Sequence, residues 1–158
     1  MTIAFDLDNT LIRCDHDFAL ETPARRWWAR LVGSEHLRAG FVDLHRFCRS
    51  QGWNIWVYTT SYRSPWAIRQ LFWLHGLHLD GVVNQARHTK EVRVRATKYP
   101  PQFGIDLLVD DSHGVRIEGE RHGFRTLVVD PTDAEWAAKV KAHILLLAAG
   151  TAQGMPSY

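Results

Sequence analysis

Five short apolar runs, at residues 3–5, 55–58, 81–83, 105–109 and 126–129, constrain this chain more than any other feature. Each is of strand length, rich in β-branched or aromatic residues and free of polar alternation, the pattern of strands covered on both faces. Helical spacing recurs between them. Phe41, Leu44 and Cys48 end at Gly52, a C-terminal cap; Ile68, Leu71, Phe72 and His75 follow Pro65, which opens a helix; Trp136, Val140, Ile144 and Leu147 follow Asp133, placed as an N-cap. Alternating strand and helix predict an α/β fold: a three-layer, Rossmann-like parallel sheet with helices on both faces and right-handed crossovers. At 158 residues and 46% hydrophobic, the chain suits one ordinary core. The expected organisation is a single domain over residues 1–150 and a loose tail over 151–158, which holds Gly154 and Pro156.

The formal charge of +2 implies no polyanionic partner by itself. Cys14 and Cys48 form no C-x-x-C, which disfavours a zinc knuckle or a dithiol redox motif and fits a reduced, cytoplasmic setting. Asp6 and Asp8 interrupt the first apolar run before it reaches the length of a signal-peptide core, and the run at 144–149 is too short to span a bilayer. No membrane association is expected.

In an open parallel sheet, chemistry gathers at the carboxyl ends of the strands, where loops and helix N-termini surround a crevice. The first run leads into Asp6-Leu7-Asp8-Asn9-Thr10, the second into Thr59-Thr60-Ser61 and the fourth into Asp110-Asp111-Ser112. A single aspartate after a strand commonly caps a turn. Two acidic doublets on two strands are harder to assign to turns, because like charges in one crevice raise each other's pKa unless a cation intervenes. Oxygen donors with no clustered His or Cys suit Mg²⁺, which takes one or two carboxylates plus waters and keeps positions open for phosphate oxygens.

These segments resemble the motifs of the haloacid dehalogenase (HAD) superfamily, in its phosphohydrolase branch. Residues 5–11, Phe-Asp-Leu-Asp-Asn-Thr-Leu, look like the first motif, residues 55–59 like the second and residues 105–112 like the adjacent-acid form of the fourth, with Lys98 where the third-motif lysine belongs. The resemblance implies an HAD-like core without a substantial cap domain and a Mg²⁺-dependent phosphatase for a phosphate monoester. Asp6 would be the nucleophile forming an aspartyl-phosphate and a metal ligand, Asp8 the general acid and base whose backbone carbonyl also touches the metal, and Asp110 with Asp111 nearby or behind it would complete the Mg²⁺ shell. Thr59 or Thr60 and Lys98 would hold the phosphoryl oxygens. Asp8 favours ester hydrolysis over carbon–halogen cleavage, since the dehalogenase branch lacks it. Thr60 and Ser61 compete with Thr59, and Lys90 with Lys98; Thr59 directly ends its strand, and Pro100, Pro101 and Gly104 mark a turn able to return Lys98 to the site. Asn9 and Arg63 stand where they could contact substrate, and a surface role is as open for Arg63.

Other features admit two readings. The pattern Ala24, Trp27, Trp28, Leu31 could be a lid or could pack on the sheet. Residues 87–98 carry five Lys or Arg and His88 against the single acid Glu91; Val92 and Val94 alternate with Arg93 and Arg95 as in a short strand, which could grip a nucleic-acid backbone or a multiply phosphorylated ligand, or simply protect a sheet edge. Most of the seven Trp suit packing, Trp27 and Trp136 on apolar stripes among them, while Trp66 and Trp73 could form a homodimer patch. An uncapped site favours a large phosphorylated substrate, such as a nucleic acid, or shielding by a neighbouring subunit. The alternative to an enzyme is a non-catalytic phosphoryl- or metal-binding regulatory module on the same fold. A two-component receiver places its adjacent acids after the first strand, the reverse of the order found here.

Overall fold

The computed structural model describes residues 1–32 and 35–153. Five strands, β1 (Thr2–Phe5), β2 (Asn54–Tyr58), β3 (Gly81–Val83), β4 (Leu107–Asp110) and β5 (Thr126–Val128), form one sheet in the order β3-β2-β1-β4-β5. All four pairings are parallel; Phe5 lies beside Val57 on one side and Val109 on the other. Strand order reverses about β1, so the crevice of this sheet opens between β1 and β4.

Six α-helices accompany the strands: α1 (Arg26–Val32), α2 (Phe41–Ser50), α3 (Pro65–Leu74), α4 (Gln85–Glu91), α5 (His113–His122) and α6 (Trp136–Gln153). Side chains of a strand alternate between faces, and here each face has its own core. Ile3, Phe5, Val57 and Val109 meet Phe41 of α2, Phe72 of α3 and Trp136 of α6. On the opposite face Ala4, Tyr58 and Leu108 meet Val115 of α5 and Phe124, with Phe103 from a single 3-10 turn (Pro100–Phe103) packed alongside. This is the expected three-layer α/β architecture, and between β1 and α2 the described residues hold only α1 and loops.

Local signals explain the helix ends. The Ser64, Asn84 and Ser112 side chains accept from the backbone N–H groups of Ala67, Arg87 and Val115, and Pro65 occupies the first turn of α3. Gly123 ends α5 at φ 72°, a left-handed conformation that a side chain would strain.

Three expectations change. Residues 87–91 are helical, and residues 92–98 belong to no strand, so the alternation of Val92 and Val94 with arginine reflects a loop and not a basic sheet edge. Arg87 is absorbed locally, bonding the Val82 carbonyl and Glu91 and lying over the Trp56 and Phe103 rings. The α1 helix packs on α3 instead of the sheet; it buries Ala29 and leaves Trp27, expected on an apolar stripe, in solvent. The last helix continues to Gln153, into the segment read as a tail, and residues 154–158 lie outside the described residues.

Candidate active site

The site grows from the carboxyl ends of the three central strands. The ladder extends one residue past β1, where the Asp6 N–H donates to the Val109 carbonyl (2.8 Å), and past β2, where the Thr59 N–H donates to that of Val83 (2.9 Å). The chain turns sharply after Asp6: the Leu11 and Ile12 N–H groups both donate to the Leu7 carbonyl (2.9 Å). Asn9 makes this turn at φ 62°, which Asn tolerates better than most residues. Its side-chain oxygen accepts from the Asp15 N–H (2.8 Å) and its amide donates to the Asp15 carboxylate (3.3 Å). Asn9 thus braces the loop.

Lys98 crosses from beyond α4 to the centre of the crevice. Its ammonium donates to the carboxylates of Asp6 and, at 2.6 Å, Asp110, and the lysine is 2% exposed. The approach is held from two sides. Glu118 of α5 accepts from the Thr97 N–H (2.9 Å) and hydroxyl (2.8 Å), while the Tyr58 hydroxyl accepts from the Tyr99 N–H (2.9 Å). Tyr58 is left to donate its own proton to His88 Nδ1 (2.6 Å); burial pushes the phenol up to about 12 and lowers the imidazole, so both stay neutral. Lys90 lies on the exposed side of α4, so of the two lysines only Lys98 meets the Asp6 and Asp110 carboxylates.

Asp6, Asp110 and Asp111 each offer a carboxylate oxygen, and these atoms lie within 4.8 Å of one another. Asp110 also accepts from the Ser112 N–H (2.9 Å), and Asp111 from the Thr10 hydroxyl (3.3 Å). Burial drives the Asp6 pKa up to about 7; Lys98 opposes this and Asp110 reinforces it. Burial and Asp110 also raise Asp111, and burial works against the Lys98 ammonium, whose pKa is nonetheless raised by Asp6 and Asp110. Three hard oxygen donors at this spacing fit one divalent ion with ligands at roughly 2.0–2.6 Å, and such a charge would relieve the strain of burying them.

Asp8 stands apart from that trio, half-buried, 3.5 Å from the Thr59 hydroxyl and 3.6 Å from the Arg63 guanidinium. Thr59 is buried and its oxygen also accepts from the Ser61 N–H (3.0 Å), whereas Thr60 is exposed and the Ser61 hydroxyl accepts from the Arg63 N–H (3.1 Å). Of the three hydroxyls, Thr59 faces Asp8. Arg63 joins Asp8 to Glu35, which it also pairs with. Sequence reasoning missed Glu35, since nothing adjacent to it signals a site, and it missed Glu118 for the same reason.

The arrangement is a buried lysine–dicarboxylate centre beside a more accessible carboxyl. No protein-family model matches the sequence, and no curated protein matches it. Solved structures do. An HAD-superfamily hydrolase of subfamily IA, variant 1, from Geobacter sulfurreducens superposes with a TM-score of 0.56 at 16% identity, covering 92% of this chain and 95% of that one. The fold is that of the HAD-like hydrolases. A predicted HAD-like family hydrolase from Porphyromonas gingivalis matches with a TM-score of 0.50 at 17% identity, over 92% of this chain and 97% of the other. A Pnkp1/Rnl/Hen1 complex matches with a TM-score of 0.52 at 12% identity; 84% of this chain covers 46% of that chain. No helix among the described residues is long and apolar enough to cross a membrane.

Proposed function

We propose that the protein is a Mg²⁺-dependent phosphatase that hydrolyses phosphate monoesters through an aspartyl-phosphate on Asp6. The observation that carries this reading is the meeting of Asp6, Asp110 and Lys98 at the strand ends, with Asp8 two residues from Asp6 and free of the buried pair. The Asp6 carboxylate attacks phosphorus as the ester P–O bond breaks, and Asp8 gives its proton to the leaving oxygen. Asp8 then takes a proton from the water that attacks the aspartyl-phosphate, which frees inorganic phosphate and restores both carboxyls. Lys98 and the Thr59 hydroxyl offset charge on the transferring oxygens. Asp6, Asp110 and Asp111 would hold Mg²⁺, which supplies positive charge that keeps Asp6 ionised near neutral pH. Asp8 contributes its side chain to proton transfer, and its carboxylate is not one of the three clustered oxygens.

Hydrolysis of p-nitrophenyl phosphate with Mg²⁺ and with EDTA tests this reading. Asp6→Asn should lower turnover roughly 10³-fold or more without changing the circular dichroism spectrum. Undiminished turnover in that variant refutes Asp6 as nucleophile.

A further inference from the structure

Beside the phosphoryl site the molecule leaves aromatic side chains in water. The α1 helix exposes Trp27 (70%) and Trp28 (53%), and α3 with its preceding turn exposes Trp66 (70%) and Tyr62 (75%). Exposed apolar groups gathered this way mark a binding surface. The Trp28 ring meets the Trp73 edge at 6.3 Å, and the Arg25 guanidinium lies 4.2 Å over Trp73, which joins the two helices into one surface. Trp66, Gln70 and Trp73 share a stripe of α3, as Trp28 and Val32 do on α1. Between the stripes lies a cavity of about 340 Å³, with Val32 and Gln70 in its walls and Glu35 and Arg63 in its lining. Arg63 reaches Asp8, so the groove begins at the proposed reaction centre and runs away from it along α3.

Charge narrows the occupant. Neither α1 nor α3 contains an acidic residue, and they carry Arg26, Arg30 and Arg69. Arg26 and Arg30 face a neighbouring hollow with His36, where the one acid, Glu21, already accepts from the Gly40 (2.8 Å) and Val42 (3.2 Å) N–H groups. A second copy of the chain suits this face poorly, since a two-fold contact sets a patch against itself and would bring these arginines toward their own counterparts. The fitting occupant bears a terminal phosphate at one end, flat π faces for the indoles and repeated negative charge for the arginines.

We propose that this face is a track for single-stranded nucleic acid whose terminal phosphate enters at Asp6. Unpaired bases stack on Tyr62, Trp66 and Trp28, and the strand crosses α1 so that its backbone phosphates meet Arg26 and Arg30 on the opposite flank of that helix. A duplex, its base faces already stacked, offers the indoles much less. This inference rests on the phosphatase reading and names its substrate class.

The test measures fluorescence anisotropy of labelled oligonucleotides, phosphorylated at the 3′ or 5′ end and about ten nucleotides long, with the full chain carrying Asp6→Asn to prevent turnover. Single strands should bind more tightly than the matching duplex. Adding Trp28→Ala or Trp66→Ala should weaken binding about tenfold each without altering circular dichroism, and adding Arg26→Ala should flatten the dependence of log K on log salt by about one. Equal affinity in the Trp variants, preference for duplex or for a phosphopeptide, or a wild-type dimer that Trp66→Ala dissociates would each overturn the track. If the wild-type chain with Mg²⁺ leaves aryl phosphate intact while oligonucleotides still bind, the phosphatase reading alone fails. Aryl phosphate hydrolysis without oligonucleotide binding defeats the track alone.

Discussion

Replacing Lys98 by methionine keeps most of the side-chain volume and removes only the ammonium, which is 2% exposed and bonded to the buried carboxylates of Asp6 and Asp110. Breaking a buried ion pair from one side costs about 3–5 kcal/mol, because the remaining charge stays buried. Here the cost depends on pH. The folded pKa of Asp6 is raised, to about 7, so the folded state binds the extra proton; stability associated with Asp6 is fully present below its unfolded value of 3.8 and is lost as pH rises through about 7. Burial leads that shift and Lys98 opposes it, so Lys98→Met moves the folded value higher still. Wild type then stops losing stability on this account just above pH 7, while the variant continues, at up to about 1.4 kcal/mol per pH unit. In EDTA at pH 8 the variant should be about 3 kcal/mol less stable by urea denaturation, or on the order of 6–12 °C lower in Tm, and the gap should shrink toward pH 5.5. Millimolar Mg²⁺ should restore part of the loss by binding the three carboxylates. A gap that is constant from pH 5.5 to 8 would refute the claim that the buried carboxylates, and not the lost packing, carry the cost.

Gly81→Ala should destabilise the fold by about 1–3 kcal/mol, since a Cβ there would land in the Trp56 indole packed against β3; a change below 0.5 kcal/mol in urea would show that the ring moves aside freely. Arg38→Met should cost about 2–4 kcal/mol, because the buried guanidinium donates to the carbonyls of Asp130 (3.0 Å), Pro131 (2.9 Å) and Asp133 (2.8 Å) between the Phe18 and Trp136 rings. Arg38→Lys should rescue little of that loss, a point charge being unable to reproduce the planar stack; wild-type stability in the lysine variant would contradict this.

Much of the centre was legible before any coordinates because its chemistry follows strand ends. Asp6, Asp8, Thr59 and Asp110 each lie within three residues of an apolar run, and in a parallel sheet those ends must share one edge. Lys98 was legible only as one of two lysines. Its selection depends on Glu118 and Tyr58, 20 and 40 residues away in the chain, which clamp its neighbours Thr97 and Tyr99. The Val92 and Val94 alternation was misleading, since a period of two over four residues also arises in a loop whose one buried apolar side chain, Val92, has no strand beside it.

Periodicity and turn residues in the sequence determined the alternation of five strands with helices and brought the acids to one edge, because burial of an apolar face depends on spacing along the chain. Only the tertiary structure decided which lysine enters the carboxylate pair, that Arg38 is a buried girder and that the α1 tryptophans face water. Those outcomes depend on how helices distant in sequence pack, and a residue's solvent exposure is a property of its neighbours in space, which local spacing does not encode.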